Sequence, residues 1–436
     1  MSAFIVANLA VIALCAAVGI AQTSIDREGK SDRTLPGGVT GNNTENRILK
    51  ERAHAGDANA QFELGKRYEH GCGVAVDYAE AVRWWKQAAQ QGHPGAQNEL
   101  GYAYEHGRGV SVDSAAALQW YQMAAAKGMV AAQYNLAVSY ERGLGSTRDY
   151  AKAAEWYTKA AAQGFAPAQN SLAMLYQKGS GVPVNLARGL QLLQSAAEQG
   201  EPAAEFNLAE AYLSGRGISR NYVHARAWFE KAANHGLSNA YYALGYLNET
   251  GKGVSRNYTR AAAMYRKAAE DGIAVSQTAL GFLYLEGKGV TQDNNQAAEW
   301  FRKSAEQGDT SGQMALGYAY FRGIGVARDN RQSAEWLRKA AERGEPLAQG
   351  NLAYLYENGR GVPLDYAEAF KWYELAAGHG NAGARQAQRA LSSILTKTQI
   401  AEGRSRASTW LKQHAPAATQ SSNNDESHLA IEASLR

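Results

Sequence analysis

Thirty-six residues separate each member of one glycine series from the next: Gly56, Gly92, Gly128, Gly164, Gly200, Gly236, Gly272, Gly308, Gly344 and Gly380. Nine repeats therefore run from Gly56 to His379 without an inserted or deleted residue. A unit of that size cannot bury its apolar face alone and must stack on its neighbours, so this period constrains the fold more than any other feature. It dictates a solenoid.

Each repeat reads as two helices and two turns. In the first repeat Ala60, Leu64 and Tyr68 are spaced four apart and share a face, which predicts a helix over 58–70. The leucine recurs in all nine repeats, and the residue after it is always Gly or Ala, small enough to admit a second helix. The tyrosine fails once, at Asn248. Two glycines (Gly71 and Gly73 in the first repeat) stop the helix and supply positive φ. Four residues later the position is restricted to Asp or Asn, from Asp77 and Asp113 to Asn257 and Asp365, as expected of a helix N-cap. Asp77 with Glu80, and Asp365 with Glu368, suggest an acidic capping box. The second helix carries Ala81, Trp84, Trp85, Ala88 and Ala89; the Trp84 position is Trp in seven repeats, with Leu192 and Met264 as exceptions. Burying a Trp, a Tyr and a Leu per repeat is worth on the order of 10 kcal/mol before chain entropy is subtracted.

The pattern A-x-x-x-L-G-x-x-Y-x-x-G-x-G-V-x-x-D-x-x-x-A-x-x-W-Y-x-K-A-A-x-x-G, seen at Gly143–Gly145 with Tyr150–Gly164 and again at Gly287–Gly308, resembles the Sel-1-like repeat, a relative of the tetratricopeptide repeat. The resemblance covers about three quarters of the chain. It implies an all-α fold, a right-handed α/α superhelical solenoid, used as an adaptor or scaffold.

Outside the repeats, residues 3–21 are apolar and uncharged, with small Gly19 and Ala21 before Gln22. They suit a signal peptide over 1–21, and hence a periplasmic or secreted protein; the alternative is an uncleaved membrane anchor. Residues 22–44 read as a flexible linker, 45–55 as an N-terminal capping helix, 380–414 as C-terminal capping helices and 415–436 as a disordered tail. Cleavage would remove Cys15 and leave Cys72 without an intrachain partner, which separates this chain from the cysteine-rich, β-lactamase-like members the resemblance also brings to mind.

Forty-five basic against 41 acidic residues give a net charge of +4 with no basic block, and nucleic acid is not an expected partner. No phosphate-cradling motif, nucleophile context or metal set stands out. His70 and His106 share a slot in adjacent repeats, but packed helices separate them by roughly 10 Å, too far for one ion. Neither cofactor, metal nor catalysis is expected.

Binding should use surface left over from packing. A helical wheel puts the recurring positions of the first helix at about 0–140° and the Lys66 slot opposite, near 240°. Across the repeats that slot holds Lys66, Tyr102, Val138, Met174, Glu210, Tyr246, Phe282, Tyr318 and Tyr354. Tyr102, Tyr246, Phe282, Tyr318 and Tyr354, with Arg322 on the basic margin, are the candidate partner-binding residues. The last four aromatics are consecutive and suggest a ladder along the concave face for a peptide or helix. Three accounts compete with a protein-binding monomer: rings that merely seal one repeat to the next, a carbohydrate-binding face, and a β-lactamase-like hydrolase.

Overall fold

The computed structural model describes residues 41–414, and every element among them is helical. The expected signal or anchor over 1–21 and the tail over 415–436 lie outside the described residues. Helix α1 (Gly41–His54) begins four residues before the expected cap and so takes in the end of the expected linker. The nine repeats follow as pairs: α2 (Ala58–His70) and α3 (Tyr78–Gln90); α4 (Pro94–His106) and α5 (Ser114–Ala126); α6 (Val130–Arg142) and α7 (Tyr150–Ala162); α8 (Ala166–Lys178) and α9 (Leu186–Glu198); α10 (Pro202–Ser214) and α11 (Tyr222–Asn234); α12 (Ser238–Thr250) and α13 (Tyr258–Glu270); α14 (Ala274–Glu286) and α15 (Asn294–Glu306); α16 (Thr310–Arg322) and α17 (Asn330–Glu342); α18 (Pro346–Glu357) and α19 (Tyr366–Gly378). Helices α20 (Ala382–Ser392) and α21 (Lys397–Gln413) close the chain. Two compact bodies result, Met1–Asp271 with the first six repeats and Gly272–Arg436 with the last three.

Every second helix starts on the Asp or Asn of the series. Asp113 accepts a hydrogen bond from the Ala116 amide at 2.9 Å, Asp149 from Lys152 and Asp365 from Glu368, satisfying amides that have no partner within the helix. No reciprocal box closes from the acids three residues on: Glu80 pairs with Arg83 at 3.1 Å, and Glu368 with Lys371 and Arg406. Among the described residues one capping box closes, Thr396 with Gln399 at the start of α21.

Both glycines of the turn have positive φ, +72° at Gly71 and +74° at Gly73. The second does more than end a helix. A Cβ at Gly253 would stand 2.6 Å from the Tyr222 carbonyl oxygen, so this glycine seats each turn against the second helix of the preceding repeat.

A deeply buried side chain of each repeat, most often a ring, occupies the slot of Trp85, one residue after the recurring tryptophan. Tyr121, Phe229, Tyr265 and Leu337 there are fully buried, whereas Trp120, Trp156, Trp228, Trp300 and Trp336 are half-buried. The expected core tryptophan is thus a shoulder residue in these five repeats but buried as Trp84 and Trp372 in the first and ninth, and lysine ammoniums cover several of the half-buried rings, as Lys231 covers Trp228 at 3.8 Å. The small residue of the first helix makes room for the deep ring: a Cβ at Gly101 would lie 2.5 Å from the Tyr121 ring.

Buried polar side chains stitch repeats together. Gln97 donates to the Ala89 carbonyl of the preceding helix at 3.1 Å, and Gln349 to Ala341 likewise. Gln61 does the same to Ala53, so α1 stands where a preceding second helix would. At the other end α21 packs on α19, with Trp410 edge-on to Trp372 at 6.1 Å and Arg406 2.8 Å from Asp365.

Candidate partner-binding face

In the second body the first helices of successive repeats touch, α14 with α16 and α16 with α18. Their packing is set by buried Leu316 and Leu352 and by Gly317, whose missing side chain lets Leu337 approach. Tyr318 and Tyr354 each lie two residues beyond their leucine, about 200° round the helix, which turns them away from that core. Tyr318 is 40% exposed and Tyr354 36%. Arg322, one turn after Tyr318, is exposed as well.

A continuous run of rings and guanidiniums links the eighth and ninth repeats. Tyr354 meets Phe321 edge-on at 5.8 Å. Arg328 lies 5.8 Å over Phe321, and Arg360 lies 5.3 Å over Tyr354. Tyr318, Phe321, Leu337, Asn351, Tyr354 and Leu355 line a shallow recess there. The surface offers rigid aromatic anchors with cationic edges, the composition found at the energetic centres of protein interfaces.

The other candidates sit differently. Tyr246, on α12 in the first body, is only 2% exposed; its hydroxyl is bonded to the Lys252 ammonium at 2.6 Å, which also lies over the ring. Phe282 is half-buried, 4.9 Å edge-on to Phe301 in the core. Tyr102 is half-buried, stacked on His106 at 4.1 Å and covered by Arg108, which is 3.6 Å from Glu69. Of the four-ring ladder, only Tyr318 and Tyr354 present open faces, while Tyr246 and Phe282 serve packing.

Two carboxyls on first helices of the first body are held away from water. Burial pushes Glu210 up to about 8, and its Oε1 has no hydrogen-bond partner. Glu99 rises to about 7 through burial, with the Glu69 charge adding to the shift. Among the described residues there is no cluster of His, Cys, Asp and Glu that could hold a metal ion, and no helix long and apolar enough to cross a membrane. Cys72 is exposed and unpaired.

The fold defines a helical-repeat protein. The Sel1 repeat model matches nine successive segments, from 58–93 through 346–381, and the chain belongs to the Sel1 repeat family. Sel1 repeat proteins are in general protein-interaction scaffolds. A solved Sel1 repeat protein from Oxalobacter formigenes is 35% identical, with 71% of this chain and 89% of that one covered and a TM-score of 0.55. A protective antigen of uropathogenic Escherichia coli strains that displays this fold is 33% identical, covering 86% and 91% of the two chains with a TM-score of 0.51. No curated protein matches the chain.

Proposed function

We propose that this chain is a non-enzymatic protein-interaction scaffold of the cell envelope or secreted space, holding a segment of another protein on the first-helix face of its eighth and ninth repeats. The exposure of Tyr318 and Tyr354 carries this reading, because Tyr246 in the same slot is enclosed. Large rings left open at neighbouring positions offer area at little rotamer cost. The apolar stretch over 3–21 supports export, and the name of the Escherichia coli relative, a protective antigen, is in keeping with a protein that leaves the cytoplasm.

Affinity capture with the chain lacking residues 1–21, followed by mass spectrometry, tests the reading when run beside a Tyr318→Ala/Tyr354→Ala variant. A protein recovered by the parent and lost by the variant is the expected result. A partner held equally by both places binding elsewhere, and selective retention on a glycan array with no protein captured would favour the carbohydrate reading. Intact mass of protein recovered from cells tests export: a mature chain starting at Gln22 is expected, and one retaining Met1 or Ser2 in the membrane fraction would mean an anchor.

A further inference from the structure

The eighth repeat differs from the others in charge as well as exposure, since its first-helix stretch combines two arginines with no acid. Over residues 310–328 the only charged side chains are Arg322 and Arg328; over 346–364 they are Glu357 and Arg360. The single carboxylate is already engaged, accepting a hydrogen bond from the Tyr373 hydroxyl at 2.7 Å. Among the described residues no ion pair involves Arg322, Arg328 or Arg360, although Arg331, Arg338 and Arg343 of α17 and its C-cap each have a polar partner. The second repeat shows the contrast: Arg108 covers Tyr102 as Arg360 covers Tyr354, but Arg108 also has Glu69 beside it.

We infer that the partner segment recognised here is acidic, carrying Asp or Glu side chains on both sides of an apolar residue that enters the recess between Tyr318 and Tyr354. This rests on the proposed protein-binding role of the same face. A guanidinium stacked on a ring keeps its N–H fork pointing outward along its own plane, ready for a bidentate carboxylate. Arg328 and Arg360 lie within cation–π range of the two ends of the Phe321–Tyr354 pair, and Arg322 adds a third positive group one turn from Tyr318. The recess is lined by Leu337, Leu355 and the aromatic rings, with Asn351 its one polar residue, which suits the tip of an apolar side chain better than a buried charge. A basic segment would meet three unopposed positive charges, so the surface also rejects the wrong partner.

Selection of a displayed random 12-residue peptide library on the immobilised chain, at low salt, tests the inference. The enriched peptides should carry net negative charge around a Leu, Ile, Phe or Met. Their binding should weaken on the order of tenfold in Tyr354→Ala, roughly threefold in Arg322→Glu, and steadily as ionic strength rises. Arg322 is solvent-exposed, so its variant should keep the parent melting temperature. Enrichment of neutral or basic peptides that Tyr354→Ala still abolishes would overturn the inference and leave the protein-binding face standing. Peptides indifferent to Tyr354→Ala would remove both. Failure to enrich any peptide would overturn the acidic linear segment, while affinity capture would still decide the broader reading.

Discussion

At the scale of single residues, the repeat depends on backbone conformations and buried charges that side chains of ordinary type would spoil. Gly128 and Gly253 both have positive φ, +82° and +69°, but a Cβ at Gly128 would meet nothing within 4 Å, and one at Gly253 would meet the Tyr222 carbonyl. Gly128→Ala should therefore cost only the left-handed conformation, about 1–2 kcal/mol. Gly253→Ala should cost about 3 kcal/mol or more, because the seam between repeats must also open. Urea midpoints compare them, and equal losses would contradict the close approach. Glu210 gives a pH prediction. Its folded value of about 8 lies above the ordinary 4.5, so between these the folded protein holds a proton that the unfolded chain has released. The stabilisation is complete below about 4.5 and lost as pH rises through about 8. The parent should be more stable near pH 5 than near pH 8.5, and Glu210→Gln should flatten that slope; an unchanged slope would show that Glu210 does not titrate as described.

Pairing between the two helices of a repeat accounts for much of what the repeat pattern conceals. Wherever the deep slot holds tyrosine, a glutamate sixteen residues earlier accepts its hydroxyl: Tyr121 with Glu105, Tyr157 with Glu141, Tyr265 with Glu249 and Tyr373 with Glu357, at 2.6–2.8 Å. Where the slot holds Phe229 or Phe301, the earlier position is Leu213 or Leu285. The chain thus contains both versions of one joint. Glu141→Leu alone strands a buried hydroxyl and should cost about 1–3 kcal/mol, whereas Glu141→Leu with Tyr157→Phe should be within about 1 kcal/mol of the parent. A double variant as unstable as the sum of the singles would refute the pairing. Helix boundaries, caps and small-residue slots were legible in the sequence because each depends on one residue type at one position. The depth of Trp120 against Tyr121 was not, because adjacent positions differ by only 100° on the wheel and both hold aromatics. Nor was the glutamine joint: Gln163 bonds Gln133 at 2.8 Å, but Lys127 in the same slot turns to the Gly92 carbonyl and leaves Gln97 Oε1 unpartnered. That choice follows from side-chain length and donor number, which periodicity does not report.

Across the whole molecule, the nine repeats share one framework and differ in what the first helix shows to solvent. Even spacing of the Lys66 slot suggested a ladder of Tyr246, Phe282, Tyr318 and Tyr354, yet exposure depends on neighbours: Lys252 closes over Tyr246 and Phe301 takes up Phe282. The even overall charge likewise conceals the eighth repeat, whose first-helix stretch carries Arg322 and Arg328 and no acid. The most direct test of a binding face set apart from the core measures melting temperature and partner affinity on the same two variants, Tyr318→Ala and Leu316→Ala. Leu316 is buried, and its loss should cost about 2–5 kcal/mol with a matching drop in melting temperature. Tyr318→Ala should melt close to the parent and weaken the captured partner by about 1–3 kcal/mol. If Tyr318→Ala instead melts as low as Leu316→Ala while the partner binds as tightly as before, the open tyrosines are packing and the binding site lies on another surface.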